Sequence, residues 1–227
     1  MNRRTLFAAA LLLSASGIAQ AAGPIRVVVW DERQPKQKEA YDNFLGNEVA
    51  AHLKTLPGIE VKSVCIDDPE QGLSNDVLDS ADVLIWWGHV RHGEIKPDTA
   101  KKIVARIKDG KLSLIALHSA HYAMPFKEAM NERARMDTLA VIQKVPDKVT
   151  LEEKPGPAGL VPATDPISPR FTLEKTDKGT VAHLTLPGCA FPTVRDDAQP
   201  SHVRVLLPDH PLAKGLPAKF DIPKPEM

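Results

Sequence analysis

Four strand-like runs, IRVVVW (25–30), EVKSVCI (60–66), VLIWW (83–87) and LSLIAL (112–117), alternate along the chain with stretches of helical character. Strands of nearly unbroken apolar residues belong to a parallel sheet covered on both faces, because an antiparallel sheet with one wet face shows alternation instead. Between the first two runs, over residues 38–54, Tyr41, Leu45, Val49 and Leu53 recur every four positions, the apolar stripe of a helix. Ser74 caps a short helical piece around Val77 and Leu78. Pro97 and Asp98 open a further helix carrying Ile103, Val104 and Ile107, and Gly110 ends it. Repeated strand–helix units predict an α/β fold with a doubly wound parallel sheet.

Beyond about residue 140 the character changes. Residues 145–170 are rich in proline and glycine, and RFTLEKTDKGTVAHLTL (170–186) reads as two short strands turning at Asp177-Lys178-Gly179. A β-rich insertion over about 140–200 is expected, with HVRVLLPDHPLA (202–213) resuming strand character.

At the other end, MNRRTLFAAALLLSASGIAQAAG combines Arg3 and Arg4, an apolar run over residues 6–13, and Ala19-Gln20-Ala21 as a small-residue cleavage site. These are the three parts of a secretory signal peptide. Residues 1–21 are expected to be removed, leaving a periplasmic or secreted product that begins at Ala22. The run is far shorter than the roughly 20 residues of a spanning helix, so no stable membrane insertion is expected after processing. The general secretory route fits, and the Arg3-Arg4 pair leaves the twin-arginine route open. Lys+Arg and Asp+Glu balance at 29 each, with no basic block, which argues against nucleic acid as a partner. Export permits a disulfide between the two cysteines, Cys65 and Cys189, but nothing in their spacing demands one. Cys65 lies in an apolar run, where cysteine is ordinarily a small core residue.

In open α/β sheets, ligands bind beyond the carboxyl ends of the strands. His89 and His92 follow the third strand in WWGHVRH, His118 and His121 follow the fourth in LHSAH, and Asp31 and Glu32 follow the first. With a flavodoxin-like strand order, 2-1-3-4, these three strands are neighbours about 4.8 Å apart, and four imidazoles and two carboxylates share one rim. A single histidine at a strand end is ordinarily a loop residue, whereas two pairs at adjacent strand ends form the pattern of a site. Gly88 precedes His89 and is read as letting the chain turn sharply. Trp86 and Trp87 read as core and pocket wall. Ser119 lacks the Gly-x-Ser-x-Gly elbow of an acyl-transfer nucleophile.

The runs RVVVWDE, DDPEQGL (67–73), ADVLIWWGHVRH (81–92), LIALHSAHYAMPFKEAM (114–130) and HPLAKGLPAKFDIPKPEM (210–227) resemble the trehalose-utilisation, or ThuA-like, family. The resemblance covers residues 25 to about 135 and again 202–227, and WWGH and LHS are its most specific parts. It implies a flavodoxin-like fold related to class I glutamine amidotransferases, and a role in sugar metabolism acting on disaccharides or their keto forms. In the amidotransferases a catalytic cysteine occupies the place where this chain has Leu117-His118-Ser119, so glutamine hydrolysis is not expected. Family members carry Tyr-Pro-x-Gly-x-His at the start of the first helix; the aligned stretch here runs from Tyr41 to Gly46 and keeps only the tyrosine. Two further departures are the β-rich insertion and the end, where the family pattern continues past Glu226-Met227, so the C-terminal part is expected to be missing.

Two chemistries suit such a rim. Imidazoles with a carboxylate match Zn²⁺ or another divalent metal, with His89 and His118 as ligands. Without a metal, His118 and His89 act as general acid and base on a keto-sugar, as in an isomerase, eliminase or hydrolase, because imidazole titrates near neutral pH. In either case Glu32, Tyr41, Trp87, Ser119, His121 and His92 are the expected substrate-binding residues. No nucleotide cofactor is expected. The alternative of a different class is a non-catalytic carbohydrate-binding protein of the same fold.

Overall fold

The computed structural model describes residues 23–161, 170–192 and 199–223; the expected signal segment lies outside them. β1 (Ile25–Asp31), β2 (Ile59–Cys65), β3 (Val83–Trp87) and β4 (Ser113–Leu117) form one sheet in the order 2-1-3-4, and every pair is parallel. α1 (Leu45–Leu53), α2 (Asn75–Asp79) and α3 (Pro97–Lys108) connect successive strands. This is an α/β architecture with helices flanking a parallel sheet, compatible with a flavodoxin-like arrangement. The third and fourth strands are adjacent, as expected.

Alternate residues of each strand serve opposite faces. Val28, Trp30, Leu84 and Trp86 pack with Leu78 of α2 and Ile103 of α3, while Val27, Val29 and Ile85 pack with Val49, Ala50 and Leu53 of α1. Trp30 and Trp86 stack with ring centroids 3.8 Å apart, and the Trp30 indole donates to the Gln71 carbonyl at 2.8 Å. Trp86 is therefore core, as read. Cys65 is buried and free, and burial pushes its thiol pKa up. Among the described residues no helix is long and apolar enough to cross a membrane.

Two expectations need correction. The helix read over residues 38–54 begins only at Leu45; Pro35–Glu39 forms a separate 3₁₀ turn and Tyr41 lies between them. The reason is a long-range cap. Asp31 Oδ2 accepts from the Gly46 amide at 2.7 Å, and the Gln37 side chain donates to Asp31 Oδ1 while accepting from the Leu45 amide. A carboxylate and a carboxamide thus satisfy the first amides of α1 and suit the positive end of its dipole. Second, β4 is not covered on both faces: it is the edge of the sheet, and Ile115 is 47% exposed.

α4 (Met124–Ile142) packs against α3 and leads into the β-rich part. There β5 (Val149–Lys154), β8 (Gly179–Thr185) and β7 (Arg170–Thr176) form a sheet in the order 5-8-7. The β7–β8 pair is the expected hairpin, with Gly179 at φ 125° on its far side. β6 (Ala158–Val161) pairs with β9 (Cys189–Pro192), and β10 (Ser201–Arg204) with β11 (Lys219–Ile222). Arg135 of α4 ties this region to the α/β part through Glu153 of β5 at 2.9 Å.

Candidate functional site

The sheet register sets the site. Asp31, Trp87 and Leu117 stand in one row across β1, β3 and β4. The next residues, Glu32, Gly88 and His118, therefore leave the sheet at the same level.

Glu32 is fully buried, and its carboxylate accepts from the backbone amides of Val90 and Arg91, each at 2.9 Å, and from the Gln34 side chain. The loop after β3 folds around this carboxylate, so Glu32 supports the histidines from beneath. Gly88 has a different role from the sharp turn read in the sequence. Its backbone is not in the left-handed region; a Cβ there would lie 3.2 Å from both Glu32 Oε2 and His92 Cε1. Absence of a side chain lets the carboxylate and the imidazole close on the backbone.

Arg91, which sequence reading passed over, clamps the same loop. Its guanidinium pairs with Asp67 at 2.9 Å and with Glu94 at 2.7 Å, and donates to the Glu32 carbonyl at 3.3 Å. Hydrogen bonding to Arg91 holds both carboxyls below the usual range, and those carboxylates in turn raise the guanidinium pKa. The charge-rich runs DDPE and RHGE were the available signal.

At the end of β4 the backbone of His118 turns left-handed, with φ 50°. That conformation costs a β-carbon residue about 1–3 kcal/mol and is concentrated at functional sites. It starts the 3₁₀ turn His118–Tyr122, which carries Ser119 between the two strand ends. Ser119 Oγ lies 2.6 Å from Nδ1 of His89 and 2.6 Å from Nδ1 of His118, and the two rings are 5.8 Å apart. Both histidines are exposed at the rim while Ser119 is half-buried. His121 Nδ1 donates to the His118 carbonyl at 3.1 Å, which fixes its tautomer, since a carbonyl can only accept.

His92 sits deeper. Burial lowers its pKa, with the charge of Glu32 opposing, and its Nε2 is sealed with no partner among the described residues. The Tyr122 ring lies 6.2 Å from His92 and 6.3 Å from His121. The structure thus gathers His89, His118, Ser119, His92 and His121 above Glu32, with Trp87 half-buried at the end of β3. Tyr41 is 39% exposed in the segment before α1 and bonded through its backbone to Gln37.

Among the described residues no group of three or more His, Cys, Asp or Glu side chains is arranged to hold an ion. The Glu32 carboxylate accepts from backbone amides, and the Nδ1 atoms of His89 and His118 are engaged with Ser119.

The His–Ser–His arrangement has a definite proton chemistry. A hydroxyl has one proton to give, so Ser119 donates to one imidazole and accepts from the other. With both rings neutral, one carries its proton on Nδ1 and the other on Nε2. One Nε2 is then a base and the other an acid, and the serine links them.

No family model matches this chain, and no curated protein matches it in sequence.

Proposed function

We propose that the protein is an exported sugar-metabolism enzyme of the trehalose-utilisation type, with a class I glutamine amidotransferase-like sheet, that shifts a proton beside the carbonyl of a disaccharide or keto-sugar. The observation that carries this reading is Ser119 held 2.6 Å from both His89 and His118 at the carboxyl ends of adjacent strands. Export rests on the signal-like residues 1–21, and the sugar class on the WWGH and LHS resemblance.

In the proposed step, the basic Nε2 of one imidazole removes the proton from the carbon next to the carbonyl, and the Nε2–H of the other protonates the carbonyl oxygen. At the same time the first ring passes its Nδ1 proton to Ser119 Oγ, and Ser119 passes its own proton to Nδ1 of the second. Both rings remain neutral with exchanged tautomers, and an enediol results. Protonation of the former carbonyl carbon, with loss of the hydroxyl proton from its neighbour, completes an isomerisation; departure of a β-substituent as its conjugate acid, with loss of the enol proton, completes an elimination. Glu32 and Arg91 hold the β3 loop in position for this geometry.

Incubating the protein with a keto-trehalose in D₂O tests the reading, with deuterium uptake beside the carbonyl followed by NMR. Uptake that Ser119→Ala lowers by roughly 100-fold or more, the scale of acid–base catalysis, supports the enzyme. Binding without uptake points instead to the non-catalytic carbohydrate-binding protein, and absence of binding removes the saccharide reading.

A further inference from the structure

We propose that a cleft of about 360 Å³ between α4 and two turns of the β-rich part receives the non-reacting ring of a disaccharide whose other ring lies at the histidine rim. This rests on the saccharide reading above. The volume falls within the roughly 300–1,000 Å³ of small-molecule pockets.

Continuity with the rim comes from Tyr122. Its ring is 6.2 Å from His92 and 6.3 Å from His121, and the same residue lines the cleft. A ligand long enough to reach past Tyr122 therefore spans both places, and a single ring does not. The lining chemistry suits hydroxyl groups, which both donate and accept. Lys127, with Nζ 4.8 Å from the Tyr122 centroid, offers only donors, while Glu128 offers acceptors and is balanced by Arg135 at 3.3 Å. An anionic ligand would meet that carboxylate, so a neutral polyol is favoured. Asn131, also on the lining, has a carbonyl oxygen sealed from solvent with no hydrogen-bond partner among the described residues. An orphaned buried acceptor is uncommon in a folded chain, and a small rotation of the amide presents it to a ligand hydroxyl.

The opposite wall is closely packed. It consists of the turns 155–157 and 186–188, each carrying proline and glycine. They meet backbone to backbone: a Cβ on Gly156 would run into the Leu186 carbonyl, and one on Gly188 into the Pro157 carbonyl. The Leu186 amide donates to the Lys154 carbonyl at 3.0 Å, fixing the second turn to the end of β5.

Calorimetry with a keto-trehalose and with the corresponding keto-glucose tests the proposal. The wild type is expected to bind the disaccharide about 10-fold or more tightly than the monosaccharide. Asn131→Leu and Lys127→Met should each weaken the disaccharide by roughly 5- to 10-fold, as loss of about one hydrogen bond does, and leave keto-glucose unchanged. Thermal melts accompany both variants; should Asn131→Leu fail to fold, Lys127→Met on the surface of α4 carries the test. Equal affinity for the two sugars, or variants with wild-type disaccharide affinity, overturns the subsite and leaves the saccharide reading standing. If the wild type binds neither sugar, the saccharide reading fails and the subsite falls with it.

Discussion

Glu32→Ala is expected to cost far more than loss of a rim residue, because the carboxylate is fully buried and organises the loop that bears His89 and His92. The Val90 and Arg91 amides, each 2.9 Å from a carboxylate oxygen, lose an ionised acceptor, and the Gln34 side chain loses its partner as well. Hydrogen bonds to a charged group contribute about 1.5–3 kcal/mol each. Water entering the vacated space recovers part of that, so a net loss of about 3–5 kcal/mol follows, the scale seen when one partner of a buried charged contact is removed. For a chain of this size each kcal/mol moves Tm by about 2–4 °C, which gives a drop of about 6–20 °C. Glu32→Gln should fall between Ala and wild type, since it keeps one acceptor but turns an N–H toward an N–H. Circular dichroism melts measure the stability, and amide hydrogen exchange at Val90 and Arg91 locates it. Melts within about 2 °C of wild type, within reach of an ordinary surface substitution, together with unchanged exchange at those two amides, would refute the clamp.

Gly46→Ala puts a Cβ 2.5 Å from the Asp31 Cβ, and Asp31 cannot swing aside because Arg33, Gln37 and Gly46 all donate to it. Overpacking of about 1–3 kcal/mol is expected, lowering Tm by about 2–12 °C; a rise in Tm, the usual result of Gly→Ala in a helix, would show that α1 shifts freely. His92 has a folded pKa below its ordinary 6.5, chiefly through burial, so in acid the unfolded chain binds its proton first. Stability from this residue is therefore complete above the unfolded pKa and falls as pH drops below it, down through the folded value. His92→Gln should flatten the Tm–pH profile as pH falls below about 6.5, and an unchanged slope would contradict the burial. The other groups near it, Glu32, His89, His121 and Lys127, are left in place by the substitution.

The sheet was legible because β1 and β3 are buried strands, and burial on two faces is written directly into runs such as VVVW and VLIWW. Adjacent strand ends then bring His89 and His118 together from the expected order. What periodicity does not carry is long-range polar capping. α1 starts where Asp31 and Gln37 meet its amides, which leaves Tyr41 outside the helix. The bridging role of Ser119 depends on the left-handed backbone of His118, which residue type alone does not signal. The cleft beside Tyr122 depends on β8 pairing with β5 and β9 with β6, both non-local, so its lining could not be assembled from local pattern.

The central claim is that His89 and His118 act as one unit through Ser119. Turnover of a keto-trehalose by wild type, His89→Ala, His118→Ala and the double variant measures it, with melts recorded alongside. Each single variant is expected to lose about 100-fold or more in kcat, with Tm within about 4 °C of wild type because both side chains are exposed. The double variant should be no worse than either single one, as for groups that act together. Wild-type turnover and affinity in both single variants, or losses that simply multiply in the double variant, would contradict the account.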